Sequence, residues 1–76
     1  MKEMLELLVR DLVDNPDKIE ITEVEDGKAT TLELKVDPSD MGKVIGRQGK
    51  LAHSIRTVIK AVANKEHKRV TVEFIG

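Results

Sequence analysis

Seventy-six residues without a single cysteine leave room for one modest core and exclude both a disulfide framework and a thiolate metal centre. One aromatic residue, Phe74, excludes recognition built on stacking bases against aromatic rings. Thirteen Lys and Arg against fourteen Asp and Glu give a net charge of −1, too little for a chain whose whole surface attracts polyanions.

Residues 1–13 read as an amphipathic helix. Met1, Met4, Leu5, Leu8, Val9, Leu12 and Val13 recur at three-to-four spacing, which fits one face packed on a sheet. Met1 to Arg10 mix acids and bases around that short apolar set, so they form neither a signal peptide nor a membrane span. A cytoplasmic protein is expected. Asp14-Asn15-Pro16 ends the helix, because a residue before proline avoids the α region.

Residues 18–25 read as a strand with Ile19, Ile21 and Val24 apolar. The alternation breaks once, as a bulge or an early end. Asp26-Gly27 signals a hairpin turn. The return strand is 28–36, with Leu32, Leu34 and Val36 on one face. Asp37 is the expected N-cap and Pro38 the first residue of a short helix, 38–45.

Gly46-Arg47-Gln48-Gly49 follows, and then a longer helix over 48–63. Its apolar face is Leu51, Ile55, Val58, Ile59 and Val62, and Asn64 is the stop. The last strand is 68–75, with Val70, Val72 and Phe74 alternating with polar residues. The order is α-β-β-α-α-β in one domain, 1–76. Strands 28–36 and 68–75 are joined by a two-helix crossover and should be parallel if adjacent. A three-stranded mixed sheet with helices on one face makes a two-layer α+β sandwich.

The glycine loop is the candidate site. Helix N-termini carry unpaired N–H groups and partial positive charge. Glycines remove the Cβ atoms that keep a sugar-phosphate backbone away. Arg47 and Lys50 add full charges. A cation in the first turn of a helix is disfavoured by the helix dipole, which suits a site meant for an anion. The charge distribution agrees. Residues 1–42 hold five bases against twelve acids, a net of −7, and residues 43–76 hold eight against two, a net of +6. Between Lys43 and Arg69 the only acid is Glu66.

Ile45-Gly46-Arg47-Gln48-Gly49-Lys50-Leu51-Ala52-His53-Ser54-Ile55 resembles the signature of KH domains, single-stranded nucleic-acid modules with a GxxG loop between two helices. The element order resembles the type II KH arrangement of bacterial proteins. Over nearly all 76 residues the chain is similar to the small single-KH family called KhpA. The resemblance implies a groove for about four bases, lined by apolar residues of the two helices. On that basis the nucleic-acid-binding residues are Lys43, Ile45, Gly46, Arg47, Gln48, Gly49, Lys50, His53 and Arg56. Ile45 is expected to be shared between groove and core, and Ile55 to be mainly core. Met41 lies on or beside the groove. His53 reaches the clamp side or is a plain surface residue. Lys60, Lys65, Lys68 and Arg69 extend the positive field.

The resemblance also implies RNA rather than DNA, a role as RNA chaperone or post-transcriptional regulator, and pairing as a homodimer or with a larger KH-containing protein. The alternative is a protein-interaction module whose fold mainly dimerises. No catalysis is expected. His53 and Ser54 are adjacent and point apart, and the loop lacks the G-x-x-x-x-G-K-[ST] pattern of nucleotide hydrolases. No metal or other cofactor is expected, since the two histidines do not have ligand spacing.

Overall fold

A computed structural model describes residues 1–76. The elements are α1 (Lys2–Arg10), β1 (Glu20–Asp26), β2 (Ala29–Lys35), α2 (Met41–Ile45), α3 (Lys50–Lys65) and β3 (Arg69–Ile75). The α-β-β-α-α-β order and the mixed sheet are as expected. The strand order is β1-β2-β3, with β1 and β2 antiparallel and β2 and β3 parallel. The helices cover one face of the sheet.

That face is decided by strand alternation. Leu32 and Leu34 of β2 and Val70 and Val72 of β3 point to the helices and are buried. Leu5 and Val9 of α1, Val44 of α2, and Ile55, Ile59 and Ala63 of α3 close over them. Leu32 and Ile59 are fully buried, and each contributes about 2 kcal/mol from apolar surface removed from water.

Several local expectations are corrected. Helix α1 ends at Arg10, not at Val13. The Leu12 N–H bonds the Val9 carbonyl at 3.0 Å, a tightened last turn, and the next residues are drawn away to Asp40. Pro16–Lys18 forms a single 3-10 turn before β1. The hairpin loop is Gly27-Lys28, with Asp26 paired to Ala29, so Gly27 takes the first central position at φ 64°. The β1–β2 register runs unbroken from Glu20 to Asp26, so there is neither a bulge nor an early end. Val24 is out of phase with Ile21, lies on the open face of the sheet, and is 45% exposed.

Asp37 caps the turn Pro38–Asp40 as expected, accepting from the Ser39 N–H at 2.9 Å and the Ser39 hydroxyl at 2.7 Å. Helix α3 starts at Lys50 because Arg47–Gly49 are taken up by a 3-10 turn. It ends at Lys65 rather than at Asn64. His67 adopts φ 58°, the Lys68 N–H reaches the Ala63 carbonyl at 2.9 Å, and the His67 N–H reaches that of Asn64 at 3.1 Å. This is a Schellman closure with histidine in the left-handed position. Val58 is exposed rather than buried, and Ala52 and Ala63 take inner places on the α3 face.

One charged group holds the ends of α1 and α2 together. Asp40 is wholly buried, and its carboxylate accepts from the Asp14 N–H at 3.2 Å, the Asn15 N–H at 3.0 Å and the Asn15 side-chain amide at 3.1 Å. Lys43 Nζ lies 3.5 Å from Asp40 and pairs with Asp14. Burial alone would raise the Asp40 value. The hydrogen bonds from Asp14 and Asn15, with the Lys43 charge, outweigh it and hold the carboxyl below its ordinary 3.8. A folded value below the unfolded one contributes stability above the unfolded value, and that stability is lost as pH falls through the folded value. Thermal melts of the wild type should therefore drop as pH falls below about 4. Asp40→Asn should melt lower at neutral pH and show a flatter acid limb. An acid limb as steep in the variant as in the wild type would remove Asp40 from this role.

Candidate nucleic-acid interface

The loop Gly46–Gly49 is built by three residues in left-handed backbone. Gly46 has φ 78° and ψ 176°, Gln48 φ 56° and ψ 28°, and Gly49 φ 75° and ψ 10°. The two glycines do different work. A Cβ on Gly46 would lie 2.6 Å from Leu51 Cβ and 3.0 Å from the Leu51 backbone nitrogen. Gly46 therefore permits α2 to turn tightly onto α3. A Cβ on Gly49 would meet nothing within 4 Å. The space above Gly49 is open, which is where an outside backbone can approach.

No side chain caps the N-terminus of α3. The Lys50 N–H donates to the Arg47 carbonyl, and the first-turn N–H groups after it have no side-chain cap beside that open space. Arg47 and Gln48 are exposed at the tip and make no side-chain hydrogen bond or ion pair, and Lys50 is exposed as the first residue of α3. The loop thus presents uncapped N–H donors and two cations around a surface without side-chain bulk. That is chemistry for an anionic ester, not for bond cleavage.

Along α3, His53 and Arg56 stand on the loop side. At about 100° per residue, Gly49, His53 and Arg56 fall within roughly 60° of one another. His53 is exposed. Arg56 crosses to the sheet, where its Nε donates to the Val72 carbonyl at 3.1 Å and its guanidinium lies 5.0 Å from the Phe74 ring centroid. Stacking on Phe74 adds about 0.5–1 kcal/mol of cation–π attraction. Since Nε makes the bond to the strand, the terminal nitrogens of Arg56 remain as donors. Ile45 is half-buried against the core and Ile55 is buried within it, as expected. At the other wall, Met41 packs against Gly76, its Cε 2.7 Å from where a Gly76 Cβ would stand.

Lys43 is the one predicted cation held in ion pairs. Its ammonium is bound by Asp14 and Asp40, which raise its value above the ordinary 10.5, the Asp14 hydrogen bond most of all. Lys43 thus ties α2 to the end of α1. The residues that sequence reasoning missed are Asp14, Asn15 and Asp40. They lie 25 and 26 positions apart, and no local pattern links them.

Charge is divided across the sheet. Glu20, Glu23, Glu25 and Asp26 lie on the edge strand β1, and β3 at the opposite edge borders the acid-free helix α3. A separate concavity between α1 and β1 is lined by Glu3, Glu6 and Glu20 against one lysine, Lys2, and so repels a polyanion.

A glycine loop of this form between two helices, over a three-stranded sheet with β2 and β3 parallel and in the order α-β-β-α-α-β, defines a KH domain of type II. The model of the KhpA/KhpB KH domain matches residues 2–74, and the chain belongs to that family. It is similar to the RNA-binding protein KhpA of Clostridium acetobutylicum, 57% identical over 75 residues, which is 99% of this chain and 100% of that protein. It is also similar to the RNA-binding protein KhpA of Aquifex aeolicus, 45% identical over 99% of this chain and 95% of that one. The protein of the same name in Borreliella burgdorferi is 44% identical over 96% and 89%. This is not a family of enzymes. No helix is long and apolar enough to cross a membrane.

Proposed function

We propose that this chain, a single KH domain over 1–76, binds single-stranded RNA. The sugar-phosphate backbone is held at Gly46–Gly49, and Arg47, Gln48 and Lys50 surround it. His53, Arg56 and Ile45 flank the bases, and Lys43 contributes through the position of α2. The observation that carries this reading is the open space over Gly49 beside the uncapped start of α3. The names of the relatives supply RNA as the nucleic acid.

One groove makes few contacts, so intrinsic affinity is low. Two grooves on one strand raise it through effective concentration. We therefore propose that the protein acts in the cytoplasm as a homodimer, or with a larger KH-containing partner, as an RNA chaperone or post-transcriptional regulator. The alternative is that the fold mainly pairs with protein. It draws on Leu7 of α1 and Val58 of α3, apolar side chains 66% and 42% exposed.

The test is a titration with a labelled single-stranded RNA pool across a range of salt concentrations. Affinity should fall with salt, with a log–log slope of about −0.7 per neutralised phosphate. A slope near −2 would correspond to about three phosphates at the loop. An affinity indifferent to salt would remove the phosphate clamp. Absence of binding at high micromolar protein would favour the protein-pairing alternative.

A further inference from the structure

We propose that the free edge of β1, beside the concavity between α1 and β1, takes an extended basic segment of another protein as a fourth strand. Helix α3 packs on β3 at the other edge of the sheet, so occupancy of the β1 edge is independent of what the glycine loop binds.

The edge is open along its backbone. β1 pairs with β2 on one side and with nothing on the other. In an antiparallel ladder alternate residues bond across, and Asp26 faces Ala29 over the two-residue loop. Glu20, Thr22, Val24 and Asp26 therefore bond to β2. The N–H and C=O groups of Ile21, Glu23 and Glu25 point outward, and no turn or cap takes them. These groups span about 13 Å, which matches a partner strand of about five residues. The register is unbroken over Glu20–Asp26, with neither a bulge nor a proline to obstruct pairing.

Side chains decide the occupant. Ile21, Glu23 and Glu25 stand in register with Leu34, Leu32 and Thr30, so they face the helix side of the sheet. An added strand would direct every second side chain to that side, where Glu3, Glu6, Ile19 and Ile21 line one concavity. The aliphatic stem of a lysine or arginine would cover the half-buried Ile19 and Ile21, and its charged head would reach the carboxylates around them. Glu6, Glu20, Glu23, Glu25 and Asp26 take part in no ion pair within the chain, and Lys2 is the one base that lines the concavity. On the open face of the sheet, exposed Val24 suits a β-branched neighbour. A second copy does not meet these conditions. β1 carries four acids and no base over its seven residues, so two such edges repel. Pairing with the β3 edge of another copy would not close and would string molecules together. The acids thus bar the edge to itself and admit a basic strand.

The test titrates the full chain with a short capped peptide that alternates arginine and threonine, read by NMR chemical shift and amide exchange. Slowed exchange is expected at Ile21, Glu23 and Glu25, with the glycine loop and β3 unmoved. The same peptide methylated on the backbone nitrogens of its arginines keeps every charge and loses its strand donors. It should bind about tenfold more weakly or worse. Glu6→Lys with Glu23→Lys should weaken the unmethylated peptide by about tenfold as well. Both replaced side chains are exposed and make no ion pair, and a melt checks the fold. The comparison of the two peptides uses the wild type alone, so it stands even where the variant fails to fold. Equal binding of the two peptides would reduce the contact to diffuse charge and overturn strand addition. Protection at the glycine loop or β3 in place of β1 would overturn the site, and so would absence of binding at millimolar peptide. Self-association of the free chain in sedimentation, with the same three amides protected and no peptide present, would give the edge to a second copy and overturn the basic partner.

Discussion

Arg47→Asp with Gln48→Asp is expected to lose single-stranded RNA binding by about 100-fold or more, with the thermal midpoint unmoved. The pair changes the loop tip by three charge units, since Arg47 goes from +1 to −1 and Gln48 from 0 to −1. Each new carboxylate faces the phosphates that the α3 N–H groups attract. The fold should tolerate both. Neither side chain has a partner to lose, and aspartate accepts the left-handed backbone of position 48, where φ is 56°. Circular dichroism and a melt of the same sample separate loss of binding from loss of structure. Undiminished binding by the folded variant would show that the loop is not the clamp.

The second large effect separates the two glycines. Gly46→Ala places a methyl 2.6 Å from Leu51 Cβ at a backbone angle that only glycine adopts freely. It should cost about 3 kcal/mol, from backbone strain and from overpacking at the α2–α3 junction. For a domain of this size that lowers the thermal midpoint by on the order of 15 °C. Gly49→Ala meets no neighbour within 4 Å and should cost about 1 kcal/mol, from its φ of 75° alone. Its methyl stands in the open space, so binding should suffer more than stability. A melt of Gly46→Ala at the wild-type midpoint would mean that the junction relaxes and that Gly46 has no structural duty.

Much of this was legible in the residues. The alternation of Leu32 and Leu34, and of Val70, Val72 and Phe74, marks β2 and β3, and the two-helix crossover between them dictates that they run parallel. Asp37-Pro38 marks the start of the turn before α2 for the same local reason that it caps it. What was not legible depends on partners distant in sequence. Lys43 looked like a groove cation because its bond to Asp14 spans 29 positions. Val24 broke the alternation of Ile19 and Ile21 because it lies on the other, open face of the sheet, and a strand pattern cannot say which of two faces is covered. Val58 looked buried because it is apolar, yet it stands about 100° around α3 from the buried Ile59 and is exposed. Gln48, between Gly46 and Gly49, takes left-handed backbone as well, and no residue pattern marks it for that. The end of α3 was assigned to Asn64 on propensity, and His67 holds the left-handed place instead.

The separation of acids on β1 from the acid-free helix at the other edge gives the molecule a dipole across its width. Near an extended polyanion such a body experiences a torque before it makes any contact. It arrives with α3 and the glycine loop leading and the acidic edge trailing, so fewer encounters are wasted on wrong faces. The benefit falls on the association rate more than on the lifetime of the complex, and it fades as salt shortens the reach of the field. A net charge near zero is thereby compatible with rapid capture of a polyanion.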